Sequence, residues 1–280
     1  MTTNPILNSP LPFQGQKRMF VKQFATALDE ITTARHVTTI VDLFGGSGLL
    51  SHTAKRLLPD CRVIWNDFDN FRERLTNIPR TNALLAELRE TLADYPHAAK
   101  LDTTHRDRVI RLVECAERNG YVDHITLSES LLFSSRYALT TQELCRQGMY
   151  NRIKMADYLA DGYLEGVEVV RYDYKELFAQ FRDRDDVLFI VDPPYLSTDT
   201  KSYSEGTYWR IGDYLDVLLV LMTGNYIYFT SNKSQIVELC DWFASHFGFD
   251  SPLSGAVMKT HKVRSKAINY TDMMFYRAKL

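Results

Sequence analysis

A mixed, mostly parallel α/β sheet interrupted by an inserted helical lobe is the fold class that this 280-residue sequence predicts. Three observations carry it. Five short apolar runs are rich in β-branched residues, helical periodicity links several of them, and a long middle segment lacks the strand pattern. The runs fall at residues 37–44, 62–67, 167–173, 187–192 and 226–231, each bounded by polar residues. Between the first two, Leu49, Leu50, Thr53, Ala54, Leu57 and Leu58 recur at helical spacing until Pro59. Proline lacks a backbone N–H and stops that pattern, so a strand follows at once. The result is a β-α-β unit, whose right-handed crossover sets its two strands parallel. Residues 256–260 and 273–277 read as strands around a polar connection, an antiparallel hairpin at one sheet edge.

From residue 71 to 165 helical periodicity takes over, with helices expected at 81–92, 106–118 and 141–160. Connections between neighbouring strands are usually short, so a stretch of this length reads as a second functional lobe. The expected organisation is therefore one α/β domain built from residues 1–70 and 166–280, with 71–165 inserted into it.

Composition sets the class. A hydrophobic share of 45% with 24% charged residues is ordinary globular usage and argues against extensive disorder. No run of roughly 18 apolar residues exists, and the polar, proline-marked start carries no signal-peptide stretch, so a soluble cytoplasmic protein with no membrane partner is expected. Cys61, Cys115, Cys145 and Cys240 are far apart with no C-x-x-C pair, which favours reduced structural thiols and no metal. The net charge of −2 disfavours a globally basic nucleic-acid binder but leaves room for a local basic face. Lys259, Lys262, Arg264, Lys266, Arg277 and Lys279 crowd the end against only Asp272, and Lys17, Arg18 and Lys22 cluster near the start.

Two loops carry chemistry. In Val41-Asp42-Leu43-Phe44-Gly45-Gly46-Ser47-Gly48 a strand becomes a helix, where backbone amides are exposed and a ligand can approach closely over glycine. The residues after Gly48 do not complete the dinucleotide fingerprint, and a tight structural turn is the other reading of this loop. Asp67 ends the next strand about 20 residues on, where an acid can bind ribose hydroxyls. Alternatively, Asp67 or Asp69 caps the helix that follows. The second loop is Asp192-Pro193-Pro194-Tyr195, which ends the apolar run Leu188-Phe189-Ile190-Val191. Two prolines stiffen the turn, leaving a rigid polar loop at a strand end. Methylation of an amine needs acceptors for the amino hydrogens, and Asp192 with the Pro193 carbonyl can supply them. Tyr195 offers a plane on which an extruded base can stack. Read as structure alone, the tetrapeptide is a turn after a buried strand.

These motifs, in this order and spacing, resemble the Dam-type family of DNA adenine N6-methyltransferases along nearly the whole chain. The family's phenylalanine-x-glycine-x-lysine motif is matched by Phe13, Gly15 and Lys17, and its aspartate-x-phenylalanine-x-glycine-x-glycine motif by Asp42, Phe44, Gly46 and Gly48. The resemblance implies a Rossmann-like methyltransferase fold using S-adenosyl-L-methionine, with Asp67 on the ribose, Asp173 accepting from the cofactor's adenine amino group and Tyr174 flanking its ring. Asp42 is expected to orient the glycine loop rather than touch the ligand. Asp192, Pro193, Pro194 and Tyr195 are implied as the catalytic residues, and Ser231-Asn232 matches the serine-asparagine that ends a later family strand. Asp69, where asparagine is common, and Tyr174, where phenylalanine is, depart from the pattern. The implied partner is double-stranded DNA, with the 71–165 insertion as target-recognition lobe. Among its basic residues, which include Arg72, Arg74, Arg106, Arg108 and Arg111, some are expected to reach bases or phosphates. Nothing in the residues points to a partner restriction endonuclease. Rival readings are an adenine N6-methyltransferase acting on RNA and a silent relative that only binds DNA.

Overall fold

A computed structural model of the chain describes residues 8–133, 136–195, 209–248, 250–264 and 269–278. In chain order the elements are α1 (Val21–Ala34), β1 (Thr39–Asp42), α2 (Leu49–Leu57), β2 (Arg62–Asn66), α3 (Phe71–Thr76), α4 (Ile78–Thr91), α5 (Thr103–Arg118), α6 (His124–Leu131) and α7 (Thr141–Cys145). There follow β3 (Glu168–Val170), α8 (Tyr174–Phe181), β4 (Val187–Val191), α9 (Ile211–Met222), β5 (Tyr226–Ser231), α10 (Ile236–Phe247), β6 (Val257–Arg264) and β7 (Asn269–Tyr276). Two compact units result. One is built on Gly15–Asp69 and Leu164–Leu280 with the residues ahead of Pro10, the other on Pro10–Gln14 and Asn70–Tyr163.

In the first unit, seven strands among the described residues form one sheet in the order β3-β2-β1-β4-β5-β7-β6. The first five are parallel, and β7 enters antiparallel beside β5. This is the expected mixed sheet with its C-terminal antiparallel pair. Strands buried on both faces read as continuous apolar runs, and β4 is the plainest case. Val187, Phe189 and Val191 enter the core on one side with Val41, Leu177, Val217 and Leu221, while Leu188 and Ile190 enter the other with Phe24, Leu28, Ile40 and Phe229. The hairpin is longer than expected, since β6 continues through the polar stretch after Thr260 and pairs with β7 as far as Arg264↔Asn269. An edge strand keeps polar side chains, so its outer half shows no apolar signal. Lys266 and Lys279 lie outside the described residues.

The second unit is helical, with two corrections to the expected elements. The helix expected over 141–160 stops at Cys145. Beyond Gly148 the backbone is committed elsewhere: Leu101 N donates to Met149 O (2.9 Å), Tyr150 N to Leu131 O (2.7 Å) and Asn151 N to Ala99 O (3.0 Å). These cross-chain bonds satisfy groups that a helix would have paired locally. In addition, α6 forms over a segment with no expected helix, started by Asp123, whose side chain accepts from Thr126 N. The same carboxylate pairs with Arg74 at 3.1 Å, both side chains being almost wholly buried. Arg74 also donates to Pro12 O at 2.8 Å. This arginine, expected among the candidates for DNA contact, is instead a structural hub.

Among the described residues, no helix is long and apolar enough to cross a membrane, and no group of three or more potential ligands could hold a metal ion.

Candidate active site

Four of the five parallel strands of the first unit end on or near an acid. Asp42 is the last residue of β1, Asp67 follows β2 directly, Asp173 lies just past β3, and Asp192 follows β4. In open α/β sheets ligands bind outside the carboxyl ends of the strands, so the sheet itself gathers these side chains on one edge. Asn66 ties the ends of three strands together: its amide donates to Leu43 O and Tyr172 O, both at 3.0 Å, and accepts from Tyr172 N at 2.9 Å.

The glycine loop is set by packing and by a helix start. A Cβ on Gly45 would lie 2.0 Å from the Trp65 ring and 2.8 Å from the Asn66 carbonyl, so only glycine lets the loop sit this close to β2. Gly48 caps α2 at φ 74°, a left-handed conformation that side chains resist. Beneath the loop, Asp42 accepts from the Ser51 hydroxyl at 2.6 Å, joining the end of β1 to α2. Its Oδ1 has no hydrogen-bond partner among the described residues. Burial pushes the Asp42 carboxyl up to about 7, opposed by the Ser51 bond and assisted by the negative charge of Asp192.

Raised this way, Asp42 binds its proton more tightly folded than unfolded. Stability from this group is therefore present at acidic pH and falls as pH rises through its folded pKa. Asp42→Asn keeps an acceptor for Ser51 and removes the titration. Thermal melts without ligand at about pH 5 and about pH 8 should show a smaller loss of stability for the variant than for the wild type. Parallel losses would contradict the assignment.

Around the second loop, Lys17 is the organising cation. Its ammonium lies 2.5 Å from Asp192 Oδ2 and donates to Gly15 O at 2.9 Å, and it sits 5.4 Å from the centre of the Tyr195 ring. A single 3₁₀ turn, Arg18–Phe20, follows Lys17 and leads into α1, which anchors Val21, Phe24, Ala27, Leu28 and Ile31 in the core. Burial raises the Asp192 carboxyl above the ordinary range, while the charge and hydrogen bond of Lys17 pull it down. Burial also raises the Tyr195 hydroxyl strongly, with Asp192 and Asp272 adding to it. That hydroxyl therefore stays protonated and remains a donor.

The remaining expected residues divide. Asp67 is buried, its N–H donating to Val170 O at 2.8 Å, and Asp69 nearby is raised by burial and by the Asp67 charge. Asp173 is exposed and caps α8 by accepting from Lys175 N. Tyr174 is buried, its ring 4.8 Å from Phe44 and stacked 5.5 Å from Trp209. Phe13 belongs to the second unit, edge-on to Phe71 at 5.6 Å, whereas Gly15 and Lys17 belong to the first. Ser231-Asn232 ends β5, where Asn232 exchanges two hydrogen bonds with Thr271. Two residues escaped the sequence reading, Trp209 and Asp272. The first follows no motif, and the second stood there only as the lone acid of a basic stretch.

Two comparisons with known proteins bear on this site. The chain is 38% identical over 242 residues to a protein of Haemophilus influenzae named "Putative methyltransferase", the match covering 84% of this chain and 79% of that protein. The model of the D12 class N6 adenine-specific DNA methyltransferase family matches residues 13–211, a span that runs from the phenylalanine of the first motif past the Asp192 loop. With most of its length inside that match, the chain belongs to the D12 class of N6 adenine-specific DNA methyltransferases.

Proposed function

We propose that this chain transfers a methyl group from S-adenosyl-L-methionine to N6 of an adenine in double-stranded DNA, with Asp192, Pro193, Pro194 and Tyr195 at the reacting centre. The observation that most supports this is the Lys17–Asp192 ion pair, which joins the N-terminal motif to the loop after β4. The residues suit the cofactor. A row of carboxylates at strand ends, with the unpartnered Asp42 Oδ1 beneath the glycine loop, favours a cationic ligand rich in hydroxyl and amino donors.

In this reading Gly15, Lys17, Asp42, Phe44, Gly46, Gly48, Asp67, Asp173 and Tyr174 form or brace the cofactor site. When bound, the cofactor supplies an electrophilic methyl group that an amino nitrogen takes directly, which requires no activated cysteine or serine. Asp192 and the Pro193 carbonyl accept the two N6 hydrogens and so turn the nitrogen lone pair outward. Lys17 holds the Asp192 carboxyl in place and opposes the upward push that burial gives it. Tyr195, neutral, presents its ring to a base swung out of the duplex. The second unit carries target recognition.

Asp67→Ala should weaken cofactor binding by about 1 to 3 kcal/mol in calorimetry, the scale of a lost hydrogen bond to a charged group. Unchanged affinity would remove Asp67 from the site. Substrate class is tested by offering duplex DNA and RNA of matching sequence. Methylation of the DNA with little of the RNA is expected, and the reverse preference would overturn the DNA reading.

A further inference from the structure

We infer that Asp272 is a positioning residue for this reaction, holding the Tyr195 ring through its hydroxyl; the inference rests on the reading of Tyr195 given above. The Tyr195 hydroxyl donates to Asp272 Oδ1 at 3.4 Å. That is at the long end for such a bond. The two ends of the contact are held very differently. Tyr195 stands on the loop that follows β4, four residues past its end at Val191. Asp272 lies within β7, opposite Ser231 of β5 and His261 of β6, so strands fix it on both sides. Next to it Thr271 and Asn232 exchange bonds of 2.9 and 2.8 Å, which pins β7 to the end of β5 at this point.

Asp272 thus offers a rigid acceptor to a ring on a loop. The surroundings of this carboxyl pull in two directions. Burial raises its carboxyl, while Lys17, the Tyr195 hydroxyl, His261 and Lys233 all pull it back down. The phenol oxygen lies on the ring's long axis, so holding it leaves rotation about that axis free but fixes the direction in which the ring points. A ring that stacks on a base needs a fixed position beside it, and the tether supplies that.

The test uses unmethylated plasmid DNA and four variants. Asp272→Ala and Tyr195→Phe should each lower kcat/KM about tenfold, the scale of one lost hydrogen bond to a charged group, with cofactor affinity unchanged. Since both remove the same bond, the double variant should be no worse than either single one. Asp272→Asn keeps an acceptor oxygen and should recover to within about threefold of wild type. Wild-type kinetics for Asp272→Ala, losses that multiply in the double variant, an Asn variant as poor as Ala, or a fall in cofactor affinity matching the fall in rate would each overturn the tether. Asp192→Ala, run alongside, separates the two claims. If it methylates normally the site reading has failed, whereas an inactive Asp192→Ala beside a fully active Asp272→Ala defeats the tether alone.

Discussion

Replacing Asp192 by alanine is expected to lower methyl transfer by about a thousandfold while leaving cofactor and DNA affinity within a few fold. The size follows from when the lost contact matters. An acceptor aimed at the amino hydrogens strengthens as N6 becomes nucleophilic, so its removal falls on kcat far more than on binding. The neighbouring ion pair sharpens the expectation. Without Asp192 the Lys17 ammonium, itself largely buried, loses its counter-charge and would be drawn toward Asp272, which already feels its field. Asp192→Asn should fall between wild type and alanine, because the amide oxygen can still accept one hydrogen while its NH2 group disfavours the second. Single-turnover rates with calorimetric cofactor affinities check this. Robust turnover by Asp192→Ala would remove the residue from the reacting centre.

The largest effect on stability is expected from Asp123→Ala in the helical unit. Asp123 does three things at once: Oδ1 accepts from Thr126 N at 3.1 Å to start α6, Oδ2 accepts from the Thr126 hydroxyl at 2.7 Å, and the carboxylate pairs with Arg74. Its loss strands a guanidinium whose Nη1 already lacks a partner among the described residues. Breaking a buried pair from one side costs about 3 to 5 kcal/mol, because the remaining charge is left in an apolar setting. Arg74→Met should cost less, since the stranded carboxylate keeps its two bonds to Thr126. Urea unfolding, read together with proteolysis of the 71–165 segment, distinguishes local from global loss. A midpoint for Asp123→Ala unchanged from wild type would show that the pair holds nothing together.

How much of this was legible in the sequence depended on the range of the interaction. The β1-α2-β2 unit could be read because its signals are local: an apolar run, helical spacing and Pro59 as a stop. The loop after β4 was legible for the same reason, two prolines closing a run that the sheet buries on both faces. Helix α1 is equally written in the spacing of Val21, Phe24, Leu28 and Ile31, although it carries no motif. The false helix over 141–160 arose because propensity in that stretch is outweighed by bonds to residues 98–101 and 130–131, which periodicity does not reveal. The outer half of the hairpin is not legible because an edge strand has little apolar face to show. In the site, residue roles came from the family resemblance, whereas the partnerships are long-range. Lys17 meets Asp192 across most of the chain, and Tyr195 meets Asp272 from a strand two places away in the sheet.

The central claim is that this site places a methyl group on adenine N6 in DNA. It is tested most directly by incubating the protein with unmethylated duplex DNA and S-adenosyl-L-methionine carrying an isotopic methyl label, then digesting the DNA to nucleosides for mass spectrometry. The account predicts label in N6-methyldeoxyadenosine, present with wild type and lost with Asp192→Ala. Label in a methylated cytosine instead, or equal label from both proteins, would contradict it.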